Sequence, residues 1–264
     1  MHDKALVVTI GPSDAQEQFN RQAASYAVSV PHSRGDSLRI LTKWASLGHY
    51  ELGLDIATGP GFTAFAVAEF CDTVIASDIA DGMLGQARAI AAERGLQNVR
   101  FEAIDAHDIP YPDESLDLVT CRTAPHHFRD IGKFLSEVYR VLNRTGVFLL
   151  CDTTTSEDAQ LAEWHQRVEA LRDPSHVAAP APSEWRTLIA EAGFEITHST
   201  PTQVDMTFWD WVKRSGSPDD VVRGLHLDFD KASDAVKTEY GISSIEVDDF
   251  EFHWPVFTCR AVKP

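Results

Sequence analysis

The 264-residue sequence has few of the features that mark membrane or secreted proteins. It contains no run of the ~18–20 consecutive apolar residues that a membrane-spanning helix requires. Residues 1–19 lack the basic stretch followed by an apolar stretch that forms a secretory signal. Its four cysteines are widely spaced and form no CxxC pair, which argues against a zinc site or a disulfide framework. We therefore predict a cytoplasmic protein with free thiols and no membrane span.

Positive charge is also scarce. The chain has 23 lysine and arginine residues against 40 aspartate and glutamate residues, which gives a net charge of −17. Binding to a phosphate backbone requires a basic face that releases counterions, so we expect no nucleic-acid partner. The net charge does not argue against a buried, local basic pocket. Hydrophobic residues make up 44% of the sequence, which is enough for a sizeable globular core.

Short apolar runs alternate with longer amphipathic stretches through the middle of the chain. Strands that alternate with helices in this way form parallel sheets with helices on both faces, so the pattern predicts an α/β fold with a Rossmann-like, doubly wound sheet. Ligands bind to such sheets at the carboxyl ends of the strands. The predicted strands span residues 52–57, 73–77, 98–104, 116–121 and 146–151, and the helices span 63–70, 81–94 and 131–142.

The two flanks of this alternating region differ from it. Before it, two helical stretches are separated by a break at Pro31. After it, residues 194–204 and 250–262 are predicted as a sixth and a seventh strand. The predicted parts of a single domain are a helical lid at 1–47, a ligand-binding core at 48–204, a helical insertion at 205–245 and a terminal strand at 246–264.

A glycine-rich loop follows the first predicted strand. Gly59 and Gly61 permit positive φ and a close approach of the backbone to a ligand, which the free N–H groups of the next helix then face. Asp78 ends the second strand, 19 residues after Gly59, where a carboxylate can accept from both hydroxyls of a ribose. Asp105 ends the third strand, where it can accept from an adenine amino group. The alternative is a plain turn with exposed aspartates. A dinucleotide fingerprint has a third glycine where this chain has Ala64, which weakens a nicotinamide interpretation.

Two segments together resemble a known family. They are DIATGPG at residues 55–61 and RTAPHHF at residues 122–128, and RDPSHV at 172–177 adds to the likeness. The chain resembles the class I S-adenosylmethionine-dependent methyltransferases, in the small-molecule branch that includes the ubiquinone and menaquinone methyltransferases. The resemblance covers residues 15–200 and departs from the family at 143–146, where NRTG replaces the usual KPGG turn. It implies a seven-stranded, mostly parallel sheet whose last strand is antiparallel.

The resemblance also implies a cofactor site. S-adenosylmethionine is expected to bind at the carboxyl edge of the sheet and to leave as S-adenosylhomocysteine. Asp55 is expected to help hold the ammonium group of the cofactor, directly or through water, and Asp78 to hold its ribose hydroxyls. The other implied cofactor contacts are Ala57, Gly59 and Gly61 in the loop, Ile79 and Met83 beside the adenine, Asp105 and Ala106 at the adenine edge, and Arg122 and Thr123 at the methionine end.

His126 and His127 follow the fourth predicted strand, where the reacting atom of an acceptor would lie. The ordinary pKa of an imidazole, ~6.5, suits a general base at neutral pH. Neighbouring side chains are expected to point apart, so that one histidine faces the site, and His126 is favoured by its position. The alternative is that both are structural and cap the strand end. A metal is not expected, because His165, Asp152 and His176 do not follow a metal-ligand spacing.

Four further residues are candidates for a lid or an acceptor site. Phe19 and Tyr26 lie seven positions apart on a predicted helix and either pack on the core or close over the cofactor. His176 falls in a segment expected to cross the acceptor pocket, with an ordinary loop histidine as the alternative. Trp209, in the insertion, is expected to wall an apolar pocket. Trp211 cannot share its helical face, so one of the two tryptophans is expected to face away.

These patterns lead to one function and two alternatives. We predict a methyltransferase that moves a methyl group from S-adenosylmethionine to O, N or C of a small aromatic or apolar acceptor, with His126 or His127 as general base. The first alternative is a methyltransferase fold that binds the cofactor without methylating, as a cyclase, a lyase or a binding module. The second, less favoured, is an NAD(P)-dependent oxidoreductase. The sequence leaves the oligomeric state open, a homodimer included.

Overall fold

The computed structural model of the protein describes residues 12–27, 33–246 and 248–264. Eight strands in these residues form one sheet. The strands are β1 (Tyr50–Ile56), β2 (Cys71–Ser77), β3 (Val99–Glu102), β4 (Leu116–Arg122), β5 (Leu142–Thr153), β6 (Glu195–Thr207), β7 (Ser243–Glu246) and β8 (Asp249–Val262).

The order of the strands is β3-β2-β1-β4-β5-β8-β6, and β7 pairs with β8. The first five strands of this order run parallel to one another, whereas β8 runs antiparallel to β5, β6 and β7. The prediction of a mostly parallel α/β sheet with an antiparallel last strand is therefore confirmed. The eighth strand, β7, has only four residues. A strand this short shows no readable alternation of apolar and polar side chains, and for that reason the sequence placed it among helices and turns.

Helices cover both faces of the sheet and both flanks of the alternating region. In the described part of the N-terminal flank, one helix lies before the predicted break at Pro31 and one lies after it. Pro31 itself falls outside the described residues. The insertion after β6 contains three helices in its described part. The helices are α1 (Pro12–Ala27), α2 (Asp36–Ala45), α3 (Phe62–Val67), α4 (Asp81–Arg94), α5 (Ile131–Val141), α6 (Ala159–Arg172), α7 (Pro182–Glu191), α8 (Phe208–Ser215), α9 (Asp219–Asp230) and α10 (Asp234–Glu239).

The apolar core is divided into layers by the sheet. One cluster, which includes Phe134 and Trp185, packs α5 and α7 on one face. Another, which includes Leu41 and Phe65, packs α2 and α3 on the other face. A third cluster, which includes Trp211 and Phe229, joins the insertion to β8. The central strands are buried on both faces, so their carboxyl ends are held rigidly where a ligand would bind. Among the described residues, no helix has the length and apolar character that crossing a membrane demands.

Candidate functional site

Two neighbouring cavities open at the carboxyl edge of the sheet. The first holds about 1140 Å³ including its open mouth and lies over the ends of β1, β2 and β4. The second holds about 750 Å³ and lies between β5, α6 and α8. They share a wall, which is formed by Phe19, Tyr26, Arg122, Thr123 and His127.

The loop after β1 is shaped by two glycines with positive φ. Gly61 has φ +92°, and a Cβ atom placed on it would lie 2.2 Å from the ring of Phe65, so only glycine fits. Gly59 has φ +54°, and a Cβ atom on it would meet no described protein atom within 4 Å. The α-carbon of Gly59 therefore borders open space in the first cavity, whereas Gly61 allows the turn itself.

Two residues other than glycine also adopt positive φ at this edge. Ala57 follows β1 with φ +50°, and Thr123 follows β4 with φ +57°. Each such residue costs on the order of 1–3 kcal/mol, and such strain is concentrated at functional sites. Both residues line the first cavity.

Asp55 lies beneath the glycine loop and is almost fully buried. Its carboxylate accepts from the Thr58 hydroxyl at 2.5 Å, the Thr120 hydroxyl at 2.5 Å and the Ala64 N–H at 3.1 Å. Burial raises its pKa to about 6. Asp55 does not line the first cavity, and its hydrogen bonds anchor the glycine loop. Its predicted role in holding an ammonium group, directly or through water, stays a prediction.

Asp78 ends β2 and does line the first cavity. Its two carboxylate oxygens accept from the backbone N–H groups of Gly59 and Ala80, both at 2.9 Å. Burial raises its pKa to about 6. These bonds fix the carboxylate against the loop, and each oxygen keeps a lone pair for a ligand hydroxyl.

Asp105 marks the far end of the first cavity. Its carboxylate accepts from the His107 N–H at 2.9 Å, lies 2.6 Å from His107 Nδ1 and accepts from Arg129 at 3.2 Å. Burial raises the pKa of Asp105, but the bonds from His107 and the charge of Arg129 outweigh it, so the pKa lies below its ordinary value. The predicted cofactor residues on the wall of this cavity are Ala57, Gly59, Asp78, Ile79, Met83, Asp105, Ala106, Arg122 and Thr123.

His126 faces the second cavity and is bound to Asp152 at the end of β5. The carboxylate of Asp152 accepts from the backbone N–H of His126 at 2.8 Å and lies 2.6 Å from its Nδ1 atom. An ionised carboxylate only accepts, so Nδ1 carries the proton and Nε2 keeps a lone pair. Burial lowers the pKa of His126, but the charge and hydrogen bond of Asp152 outweigh burial, and the pKa lies above its ordinary value.

His127 lies on the wall between the cavities and is held by a different carboxylate. Its Nδ1 atom is 3.0 Å from the Ser175 hydroxyl, which donates to Asp173 at 2.6 Å. Because the serine proton goes to Asp173, Nδ1 of His127 is the donor in its bond to Ser175. Burial, together with the nearby charge of His126, lowers the pKa of His127 to about 3.

The two histidine rings do not point apart as the sequence suggested. They lie in a short 3-10 turn, Pro125–His127, with ring centroids 4.1 Å from each other. The expectation failed because each ring has its own hydrogen-bond partner: Asp152 on β5 for His126, and Ser175 in the segment after α6 for His127. Both rings therefore line the second cavity.

Three of the four candidate lid and acceptor residues line a cavity, and Trp209 does not. Phe19 and Tyr26 line both cavities, and the Phe19 ring lies 4.9 Å from that of His127. His176 lines the second cavity, with Nε2 2.8 Å from the Gln166 side chain, and burial lowers its pKa to about 4. Trp209 is a correction, since its side chain lies on the surface, 40% exposed, outside both cavities.

Trp211 occupies the position that the sequence gave to Trp209. It is buried and lines the second cavity. The face of α8 that packs inward decides which tryptophan is buried. That face carries Trp211, which packs in the same cluster as Phe229 and Trp254.

The comparisons with known proteins agree with this edge of the sheet. Residues 53–193 match the family described as methyltransferase domain. The chain is 33% identical to the uncharacterized methyltransferase YcgJ of Bacillus subtilis over an alignment of 225 residues. This alignment covers 85% of this chain and 89% of that protein. The chain belongs to the methyltransferase domain family. The resemblance seen in the sequence is thereby confirmed, and the family is not one of oxidoreductases.

Two solved structures and a second sequence relative extend the comparison. The crystal structure of YcgJ superimposes with a TM-score of 0.80 at 32% identity and covers 86% of this chain and 97% of that one. The ubiquinone/menaquinone biosynthesis C-methyltransferase UbiE of Rickettsia bellii is 28% identical over 167 residues, or 54% of this chain and 67% of that protein. The [4+2]-cyclase SpnF shares the fold alone, with a TM-score of 0.63 at 17% identity and coverage of 96% and 95%.

Several residues of the methyltransferase site were missed in the sequence. Asp152 was considered in the sequence but was not paired with His126, although it lies at the end of β5 much as Asp78 lies just after β2. Glu169 and Arg214 gave no signal, since a charged residue on an amphipathic helix is usually exposed. Arg172 was noted only as part of the RDPSHV likeness, without a role. The residues that complete the second cavity are His126, Thr153, Glu169, Arg172, His176, Val204, Met206, Trp211, Arg214 and Trp254.

Proposed function

We propose that this methyltransferase binds S-adenosylmethionine in the first cavity and a small acceptor with an apolar body in the second. The observation that supports this most is the shared wall. Arg122 and Thr123 line both cavities, so a group bound at the end of one lies next to a group bound in the other. A methyl group moves in one direct step between donor and acceptor, and holding the two reactants in line can contribute ~7–11 kcal/mol.

The residues of the first cavity suit a nucleoside with an attached amino acid. The open space at Gly59 admits a ligand against the loop backbone, and Asp78 has lone pairs left for two ribose hydroxyls. Ile79 and Met83 offer an apolar surface for a base, beside the carboxylate of Asp105. When bound, S-adenosylmethionine supplies an electrophilic methyl group on its sulfonium.

We further propose that His126 is the general base for an acceptor that must lose a proton. Asp152 fixes the neutral ring in the tautomer whose proton is on Nδ1 and whose lone pair is on Nε2, and the carboxylate stabilises the imidazolium that forms when the proton is taken. His127 suits a different task, because a pKa of about 3 keeps it neutral, as a hydrogen-bond partner that orients the acceptor. The side chains of Phe19 and Tyr26, carried by α1, exclude water from both cavities.

The test of the cofactor is a calorimetric titration with S-adenosylmethionine and S-adenosylhomocysteine. Asp78→Ala removes charged hydrogen bonds to the ribose that are worth ~1.5–3 kcal/mol, so affinity is expected to fall about 10- to 100-fold. Asp72→Ala is the matched control, since Asp72 lies on the same strand with a side chain 65% exposed. No binding by the unaltered protein, or equal binding by Asp78→Ala, would reject the cofactor site.

The test of methyl transfer is the product. After an acceptor screen, S-adenosylhomocysteine is expected to accumulate in step with the methylated acceptor. Because the fold is shared with SpnF, a cyclase, turnover of an acceptor without S-adenosylhomocysteine would favour an enzyme that binds the cofactor and does not methylate.

A further inference from the structure

Two buried guanidinium groups line the second cavity. Arg172 is the last residue of α6, and Arg214 lies in the last turn of α8. Both are less than a tenth exposed, in a protein whose net charge is −17. Arginine is rarely buried to this degree without a strong reason, because removing its charge from water is costly.

Arg172 is held in place by several contacts and has N–H groups left to donate to a ligand. Its Nε donates to the Trp211 carbonyl at 3.0 Å, and its Nη1 donates to Glu169 at 3.4 Å. The guanidinium also lies 5.3 Å from the centroid of the Trp211 ring. Among the described residues, the second amino group of Arg172 has no hydrogen-bond partner.

The Glu169 carboxylate is shared between Arg172 and two tryptophans. Its Oε1 atom accepts from the indole N–H groups of both Trp211 and Trp254, so the carboxylate serves three donors. This arrangement has a second effect. Because both indole N–H groups are occupied by Glu169, the two tryptophans offer the cavity mainly their apolar rings.

Arg214 lies beside a sulfur atom and a carboxylate. Its Nη2 lies 3.0 Å from the Met206 sulfur, and its Nη1 lies 3.7 Å from Asp210, whose side chain is 59% exposed. A thioether is a weak acceptor, and an exposed carboxylate at that distance is screened by water. Burial lowers the pKa of Arg214, and the positive charge of Arg172 lowers it further. The two guanidinium groups thus lie close enough to repel each other.

We propose that the acceptor carries an anionic group, a carboxylate or a phosphate, which binds between Arg172 and Arg214. This inference rests on the proposed function, because it names the class of acceptor in the second cavity. A guanidinium fork matches the oxygens of either anion, and an anion there would relieve the repulsion between the two arginines. Trp211 and Trp254 would then contact the apolar body of the acceptor.

The carboxylate of the cofactor is not the ligand of these arginines. Neither Arg172 nor Arg214 lines the first cavity, whereas Arg122 lines both and lies at the junction. His126 is on the wall of the same second cavity, so an acceptor bound through its anionic end is still within reach of the proposed base.

The experiment compares charged and neutral probes of one shape. Benzoate, phenyl phosphate and inorganic phosphate are titrated into the protein, with benzamide as the neutral counterpart of benzoate, both with and without saturating S-adenosylhomocysteine. Benzoate or phenyl phosphate is expected to bind at least tenfold more tightly than benzamide. Arg214→Gln is expected to remove that preference and leave the affinity for S-adenosylhomocysteine unchanged. Arg144→Gln, at a side chain 87% exposed, makes the same change in charge and should alter neither.

Each outcome decides the proposal. Equal affinity for charged and neutral probes, or no saturable binding of any anion, overturns it, as does a folded Arg214→Gln variant that retains the preference. If Arg214→Gln does not fold, Arg214→Lys keeps the charge but loses the fork, and it should retain a weakened preference; an unchanged one overturns the proposal. Failure to bind S-adenosylhomocysteine, with anion preference intact, rejects the cofactor and leaves the anion site standing.

Discussion

The two cavities of this methyltransferase are built in different ways. The residues of the first that the proposed function uses lie at or just beyond strand ends: the glycine loop after β1, Asp78 after β2, Asp105 beyond β3 and Arg122 at the end of β4. The second draws its wall from α1, the 3-10 turn, α6, β6, α8 and β8, which are distant from one another in sequence. The difference teaches that strand ends place most of the polar residues of the first cavity, whereas tertiary packing of distant elements places those of the second.

The cavities also differ in charge. The first presents the carboxylates of Asp78 and Asp105, which suit hydroxyl and amino donors, together with the guanidinium groups of Arg122 and Arg129. The second presents imidazoles and guanidinium groups with a single carboxylate, Glu169, on its wall. An acidic surface therefore encloses a local basic pocket, a possibility that the net charge of the sequence left open.

The largest effect is expected in the glycine loop beside the first cavity, from Gly61→Ala. The new methyl group would overlap the ring of Phe65, at a residue whose φ is +92°. Backbone strain and overpacking each cost ~1–3 kcal/mol, so we expect a loss of about 4 kcal/mol in the free energy of unfolding. Chemical denaturation measures it, and binding of S-adenosylhomocysteine should be lost in parallel.

Gly85→Ala is the matched control for that substitution. Gly85 lies in α4, on its exposed side, and a Cβ atom there would meet no described atom within 4 Å. In a helix, alanine is more favourable than glycine by ~0.8–1 kcal/mol, so stability should rise slightly. A comparable loss in both variants would show that the loop after β1 is not specially constrained.

The same contrast explains how far the sequence could be read. Helix α4 was predicted with its observed bounds, and Asp78 was placed correctly after the second strand. Helix propensity, helix caps and the point where a strand ends are all local features of the sequence. The pairing of His126 with Asp152 was not predicted, because the two residues are 26 positions apart and meet only when β5 lies beside β4. Trp209 was preferred to Trp211 because the face that α8 buries depends on its neighbours.

A second prediction concerns the proposed base in the second cavity. Asp152→Asn removes the charge that raises the pKa of His126, so the ring is expected to titrate at lower pH. The neutral ring is the form that accepts a proton, so the methylation rate should rise with pH through the pKa of His126, above 6.5 in the unaltered protein and at lower pH in Asp152→Asn. The maximal rate is expected to fall about a hundredfold.

NMR titration of the histidine rings tests the pKa without an acceptor. His127 and His176 should stay neutral well below pH 6.5, since burial lowers their pKa values to about 3 and about 4. Asp72→Asn, at an exposed carboxylate on the edge of β2, should leave the titration of His126 unchanged. If Asp152→Asn also leaves it unchanged, Asp152 does not support His126 as a base.

The smallest effect separates the two tryptophans of α8. Trp211→Phe deprives the buried Glu169 of one donor, and an unsatisfied buried group costs ~1–3 kcal/mol, so a loss of about 1–2 kcal/mol in the free energy of unfolding is expected. Trp209 donates to the Asp248 carbonyl at an exposed position, where water can replace the bond, so Trp209→Phe should cost no more than ~0.5 kcal/mol. Urea denaturation of both variants measures the difference. Equal losses would mean that α8 does not turn Trp211 toward the second cavity, and the apolar wall proposed for the acceptor would lose its main member.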